Sequence, residues 1–485
     1  MPIKGVLRGY QDIKIPPDGL FDSSNADIED GTLQGRRGLT QLSAQVLGAR
    51  PMGSLNFWDN VTADYLFVVT TAKAWVYTVS SGVWADLDGG LTGTADNPVS
   101  VEQFAFGTPL KNRVYFVNGV DPLKTWKVGD ATVSTVVAGT GNQPPIMRDL
   151  TVIADRLVGI VGSHAIQWSE PLDDGTVSGW PSLNARVFGE TAAPLIAIKT
   201  MGTVGGVAYK KDSIWLGEVT GLPGGSSFRW SLFDYVEGPA GSNAVVNAGG
   251  RHYYMTRNGR IGYFNGFMHK WVVDGAWKTV KDEIDLNAPF RVHGIWIPQL
   301  EEVRFYYQRA GQSITDGMVI LRLENKQMGR PYAAFPGRMG KSVTAGCEIY
   351  DNNFTTSVAF TSDTQKLYTI SGLTDDGTAV SGFIQTGMIL PNQQQGIDRV
   401  LPIEPFLERG GGFGTVTMKA VTSNILDNIN GVLSTGASID LTLTPPKTIV
   451  GLDARGRFIG MRLEWTSAST IKYRGAVLRA QETES

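Results

Sequence analysis

The chain has 485 residues, a formal net charge of −3, 18% charged residues, 59 glycines and a single cysteine, Cys347. This length suits about three ordinary domains or one large all-β body with an appendage, and it buries enough surface to fold without staples. The charge balance argues against a basic nucleic-acid clamp. One cysteine rules out an intramolecular disulfide and fits a reducing compartment of origin, and no run of about 18 apolar residues offers a membrane span.

The N-terminus, MPIKGVLRGYQD, has no apolar core of a secretory signal. It runs into IPPDGLFDSSNADIEDGTLQGRRGL, where Pro16-Pro17 and Asp18-Gly19 set a turn and Asp22 to Asn25 suit a short cap. Gly31, Gly35 and Gly38 predict that the rest of residues 1–50 is irregular, either contacting neighbours or closing the body that follows.

From about residue 51 one phrase recurs. NRVYFVNGVDPLKTWKVGD (112–130) alternates, breaks at Asn118-Gly119 and Asp121-Pro122, and resumes as a second extended run ending in Trp126. Alternation of period two followed by Asn-Gly predicts a hairpin, because both central residues tolerate positive φ. Relatives of this hairpin start near residues 65, 156, 206, 250, 302 and 358, a spacing of roughly 45–55 residues that suits propeller blades with loop insertions. A four-stranded blade cannot bury its own faces, and stacking blades around an axis buries them against each other. The chain is therefore expected to be all-β: a β-propeller of six to eight blades over residues 51–375, in which each quoted hairpin is half a blade. Short regular strands also build sandwiches, which stays the competing architecture. The only helix signal is TVKDEIDL (279–286).

From about residue 376 to 485 the strands lengthen: SGFIQTGMIL, GTVTMKAVT, ASIDLTLT and RFIGMRLEWTS, separated by LPNQQQG (390–396) and the glycines at 410–412. This predicts a separate antiparallel β-sandwich or platform.

Motifs that would carry chemistry are incomplete. GSSF (225–228) lacks the second glycine of a nucleophile elbow. GKS (340–342) has Phe335 where a phosphate loop needs glycine. His164, His252, His269 and His293 do not pair at metal-ligand spacing. DLDGG (86–90) opens like a calcium loop but has Asn97 where a bidentate Glu belongs, and reads as a turn between blades. SEPLDDGTVSGW (169–180) has the wrong spacing for a sialidase hairpin, and Asp173, Asp174, Glu301 and Glu302 form no paired carboxylates; the adjacent Glu301 and Glu302 point to opposite faces of a strand. Trp75, Trp84, Trp126, Trp168, Trp180 and Trp215 suit mortar between blades better than a sugar groove. No enzyme, catalytic residue, metal or cofactor is expected.

The succession of IPPDGLFDSSNADIEDGTLQGRRGL (15–39), NRVYFVNGVDPLKTW (112–126), RDLTVIADRLVGIVGSHAIQWSEPLD (148–173), GGVAYKKDSIWLGE (205–218) and GGRHYYMTRNGRIGYFNG (249–266) resembles the β-propeller tail nozzle, or tail hub, proteins of short-tailed bacteriophages. The likeness covers about residues 10–375, and the C-terminal region fits such proteins loosely. It implies a structural virion protein, made in host cytoplasm and not inserted in a membrane. Six copies would form a ring below the portal and its adaptor, near tail fibres or spikes, retaining the genome and passing DNA by transient, non-specific contact. The mild acidity suits passage, since each basic contact to phosphate adds affinity through counterion release. No active-site residue carries over from the family. Arg36 and Arg37 are the candidate assembly contacts, and removing residues 1–40 is expected to leave the propeller folded but unassembled. A receptor-recognition or glycan-binding propeller of the tail, a minor head–tail connector and a bacterial scaffold propeller are the alternatives.

Overall fold

The computed structural model describes residues 20–29, 32–58, 64–104, 112–137, 142–172, 176–202, 205–222, 227–272, 274–323, 331–351, 354–387, 398–409, 415–423, 432–433, 437–440, 454–456, 458–467 and 471–482. Six antiparallel sheets of four strands follow one another in the chain. Their first strands are Pro51–Trp58, Ser100–Phe104, Met147–Ile153, Leu195–Met201, Val245–Ala248 and His293–Ile297. A seventh unit begins at Val343–Asp351. Each first strand lies beside the next, and the seventh lies beside the first, so the seven strands ring an axis. The architecture is a seven-bladed β-propeller.

The period-two alternation explains why blades stack. In the strand Arg113–Val117 of blade 2, Val114 and Phe116 pack with Phe57, Phe67 and Val76 of blade 1. Tyr115 and Val117 of the same strand pack with Leu150 and Leu157 of blade 3. Both faces are buried, so each residue of the strand serves one neighbour or the other.

Blade 7 takes three strands from one end of the chain and one from the other. Its order is Val343–Asp351, Phe354–Thr361, Leu367–Ile370 and then β4 (Leu39–Ser43), with Ile370 opposite Leu39 and Leu367 opposite Ser43. Before β4 lie β1 (Leu20–Ser24), β2 (Ala26–Glu29) and β3 (Thr32–Gly35). These join the second body. β1 pairs with Thr378–Thr386 in a sheet continued by Phe458–Ser467 and Thr415–Ser423. β2 and β3 pair with each other, and β3 continues through Ile471–Glu482 to Asp398–Arg409 and Ala454–Gly456.

The strand at Thr374–Asp375 pairs with both β4 and Thr378–Thr386, joining blade 7 to the second body edge to edge. One apolar core spans the joint. It contains Leu20 and Ala26, Met318, Ile320 and Phe335 of blade 6, Ala359 and Tyr368 of blade 7, and Met418, Leu463 and Trp465 of the second body. Gly38 lies at the crossing: a Cβ there would come 2.1 Å from Thr374 O, so no side chain fits.

Four expectations change. The N-terminal segment is not irregular over its described part. Strand pairing with partners more than 300 residues away overrides its local glycine and turn signals. The quoted hairpins are the second and third strands of each blade (Arg113–Val117 with Lys124–Trp126 in blade 2), so each blade starts one strand earlier. The helix is α1 (Asp274–Glu283), starting before the predicted TVKDEIDL stretch. Finally, removing residues 1–40 takes away β1 to β3 and the start of β4, which are structural strands of both bodies. The LPNQQQG break and the glycines at 410–412 lie outside the described residues.

Candidate functional site

The chain concentrates buried charge at the joint between its two bodies. Arg36 sits between β3 and β4 and is fully enclosed. Its Nη2 lies 2.6 Å from Asp375 Oδ2 and its Nη1 donates to Asp375 Oδ1 (2.9 Å). It also donates to Asn25 Oδ1 (3.0 Å), Arg37 O (3.1 Å) and Arg338 O (2.7 Å). Asp375 takes one further bond, from Gly340 N at 2.7 Å. Deeper in blade 6, Arg304 pairs with Glu302 at 2.6 Å, both completely buried, and donates to Arg37 O at 3.1 Å. Arg322 faces Asp27 of β2 at 3.4 Å. Burial alone would lower the Arg304 pKa, but Glu302, Tyr306 and Asp27 outweigh it and hold the group above its ordinary value.

Arg36 is therefore not available for assembly as the sequence suggested. A surface contact needs an exposed guanidinium, and this one is committed within the chain to Asn25, blade 6 and Asp375. Arg37 is half-buried, and its carbonyl is the acceptor that joins the two arginine networks.

The propeller axis is crossed at the end where the inner strands begin. Asn243, in the short turn Ser242–Ala244 before blade 5, donates across the axis to Met52 O (3.1 Å) of blade 1 and Val99 O (3.3 Å) beside blade 2. Arg291, ahead of blade 6, reaches Asp96, ahead of blade 2, at 2.6 Å. Arg50 stands beside this pair; burial first, then Arg291, lower its pKa to about 10, with Asp96 opposing.

Next to the crossing is a cavity of about 310 Å3, open to solvent. One wall is the blade 2 hairpin turn, held by Asn118. Asn118 Oδ1 accepts from Val120 N and Asp121 N (3.0 and 2.8 Å), and Gly119 takes φ +78°. Asp121 accepts from Thr92 N and Thr92 Oγ1 (3.0 and 2.6 Å), which ties the turn to the linker from blade 1. Burial pushes the Asp121 carboxyl up, but the bonds from Thr92 and Asn118 outweigh it and hold the group below its ordinary value. The other walls bring Arg148, Ile196, Ala240, Ser242 and Phe290.

Titratable groups on the first and second strands of the blades are shifted by burial. Glu102 is pushed up to about 7 by burial, with Lys199 opposing and Asp149 assisting. Glu348 rises to about 7 by burial against a bond to Tyr350. The Cys347 thiol rises to about 12 by burial, which leaves it a poor nucleophile. His252 falls to about 4 by burial, its Nδ1 2.8 Å from Tyr209 Oη and its Nε2 3.0 Å from Thr200 O. The Glu102 and Glu348 sites were not legible in the sequence, because their inner strands were not read as strands; His252 was singled out, but its Tyr209 partner lies one blade away.

Of the motifs singled out above, Gly340 and Ser342 serve the blade 6–7 joint: Ser342 Oγ accepts from Thr315 N (2.9 Å) and Ser362 Oγ (2.8 Å). Asp86 pairs with Lys73 at 2.7 Å, and Asp88, Gly89 and Gly90 turn through positive φ on the way to blade 2. Asp173 and Asp174 lie outside the described residues, as do Gly225 and Ser226 of GSSF. Glu301 caps a turn with φ 53°, while Glu302 is spent on Arg304. Trp126 meets Phe57 and Phe67 of blade 1 at ring separations of 5.6 and 5.7 Å. Trp168 meets Phe228 of blade 4 at 5.1 Å and Trp84 meets Phe360 of blade 7 at 6.4 Å. These three tryptophans pack between blades.

No protein-family model and no curated protein matches the sequence. Similar solved structures include a chain of the mitotic checkpoint complex, with a TM-score of 0.43 and 13% identity, covering 69% of this chain and 93% of that one. YCF48 from Cyanidioschyzon merolae is similar with a TM-score of 0.41 and 10% identity, covering 68% and 98%. The blade order and the closed ring carry the propeller assignment by themselves.

Proposed function

We propose that this chain is a structural protein of a bacteriophage tail, one stave of a nozzle ring through which DNA leaves the particle. The observation that carries the reading is the welding of the propeller to a second β-body by one core and by the Arg36–Asp375 pair. A ring stave under load needs two bodies that do not hinge, and interleaved strands from both chain ends supply that. The sequence phrasing supports the same reading.

Asn243 and the Arg291–Asp96 pair cross the propeller axis. In this proposal the conduit therefore lies between copies, a homo-hexameric ring with the propellers as its wall. Cyclic rings use head-to-tail contacts between different faces of each copy. The portal adaptor above, fibres or spikes alongside and transient contact with DNA complete the expected partners, and no catalytic step is assigned.

The test is immunogold electron microscopy of particles from cells expressing the whole gene cluster, with an antibody to this chain. Label at the distal end of the tail is expected. Label confined to fibres would favour receptor recognition. Intact particles with neither label nor peptides from this chain by mass spectrometry would refute a virion role.

A further inference from the structure

We propose that the cavity beside the propeller axis binds a small organic anion, with a carboxylate or phosphate head against Arg148 and an apolar body against Ile196, Ala240 and Phe290. The charge arrangement points to an anion. Arg148 lines the cavity and donates to Leu195 O at 3.2 Å, and among the described residues it has no carboxylate within ion-pair distance. Its chain neighbour Asp149 is engaged elsewhere, by Ile198 N (2.7 Å) and Lys199 Nζ (3.1 Å). Arg50 and Arg291 stand near the same mouth, and Asp96 is the acid that they share.

Ser242 Oγ, on a residue lining the cavity, is enclosed without a hydrogen-bond partner among the described residues. Buried polar groups are ordinarily satisfied, so this hydroxyl beside Arg148 fits a site completed by a ligand. A guanidinium matches carboxylate or phosphate with two parallel bonds. The volume of about 310 Å3 is at the small end for ligand sites, which limits the body to about the size of one aromatic ring with a short substituent. The walls come from blades 2 to 4 and from the segments that lead into blades 2, 5 and 6, and the Asn118 turn and the crossing at Asn243 both hold them in place, so the site is formed before a ligand arrives.

The test is isothermal titration of the full chain with benzoate, phenyl phosphate and benzyl alcohol at low salt. At least one anion is expected to bind, and the neutral alcohol at least tenfold more weakly. Which anion binds more tightly identifies the head group. Arg148→Gln changes an exposed side chain and should weaken anion binding at least tenfold with an unchanged far-UV spectrum. Ile196→Trp fills the apolar half and should abolish binding. The proposal is overturned if neither anion binds, if the alcohol binds as well as the anions, or if binding survives either variant.

Discussion

Arg36→Ala tests the weld between the two bodies. The substitution removes five hydrogen bonds and leaves Asp375 buried with Gly340 N as its remaining donor. Breaking a buried pair from one side costs about 3–5 kcal/mol, because the other charge stays in a low-dielectric site. Asp375 keeps a donor, so the lower half of that range applies to the charge, and the void left by the side chain adds to it. With a urea m-value of about 3 kcal/mol/M, the unfolding midpoint falls by about 1 M. The pair joins two bodies, so by tryptophan fluorescence the wild type is expected to unfold in one transition and the variant in two. Arg36→Met together with Asp375→Leu should recover most of the loss, since it leaves no charge unpaired. A loss under about 1 kcal/mol for Arg36→Ala, the size of a surface pair, would refute the buried weld.

Trp126→Ala removes the ring that touches Phe57, Tyr65 and Phe67 across the blade 1–2 seam. It should cost about 3–5 kcal/mol, with Trp126→Phe recovering more than half; a loss under about 1.5 kcal/mol in thermal melts would place the ring outside the core. Glu102→Gln should act through pH. The folded carboxyl is raised to about 7 from 4.5, so the folded state binds the extra proton and Glu102 lowers stability as pH rises through that window. At about 1.4 kcal/mol per pKa unit, the variant gains up to about 3 kcal/mol at pH 8 and almost nothing at pH 4, and equal effects at both pH values would refute the burial argument.

The sequence carried the repeat because its second and third strands are both buried and joined by Asn-Gly or similar turns. Val114 and Phe116 against Tyr115 and Val117 is a pattern that only an extended, two-sided element explains. The inner strands were not legible. LIAIKTM and VEQF carry polar groups such as Lys199 and Glu102, whose neighbour Asp149 comes from the adjacent blade, so they lack the unbroken apolar run expected of a central strand. The N-terminal strands were missed for another reason. LFDSS and TLQG have weak local preference and become strands only because Thr378–Thr386 and Ile471–Glu482 offer edges. Arg36 was legible as important and misassigned as exposed, since burial of a guanidinium depends on an acid 339 residues later.

The clasp in blade 7 also sets a schedule for synthesis. Thr40 hydrogen-bonds a carbonyl 331 residues further on. At ribosomal rates of about 5–20 residues per second, the N-terminal strands wait roughly 15–65 seconds for that partner. Blades 1 to 6 can stack as they emerge, but the circle stays open until the last third of the chain leaves the ribosome. A message cut short anywhere before residue 370 yields an arc with raw strand edges instead of a smaller closed body, so ring closure requires translation through the third strand of blade 7.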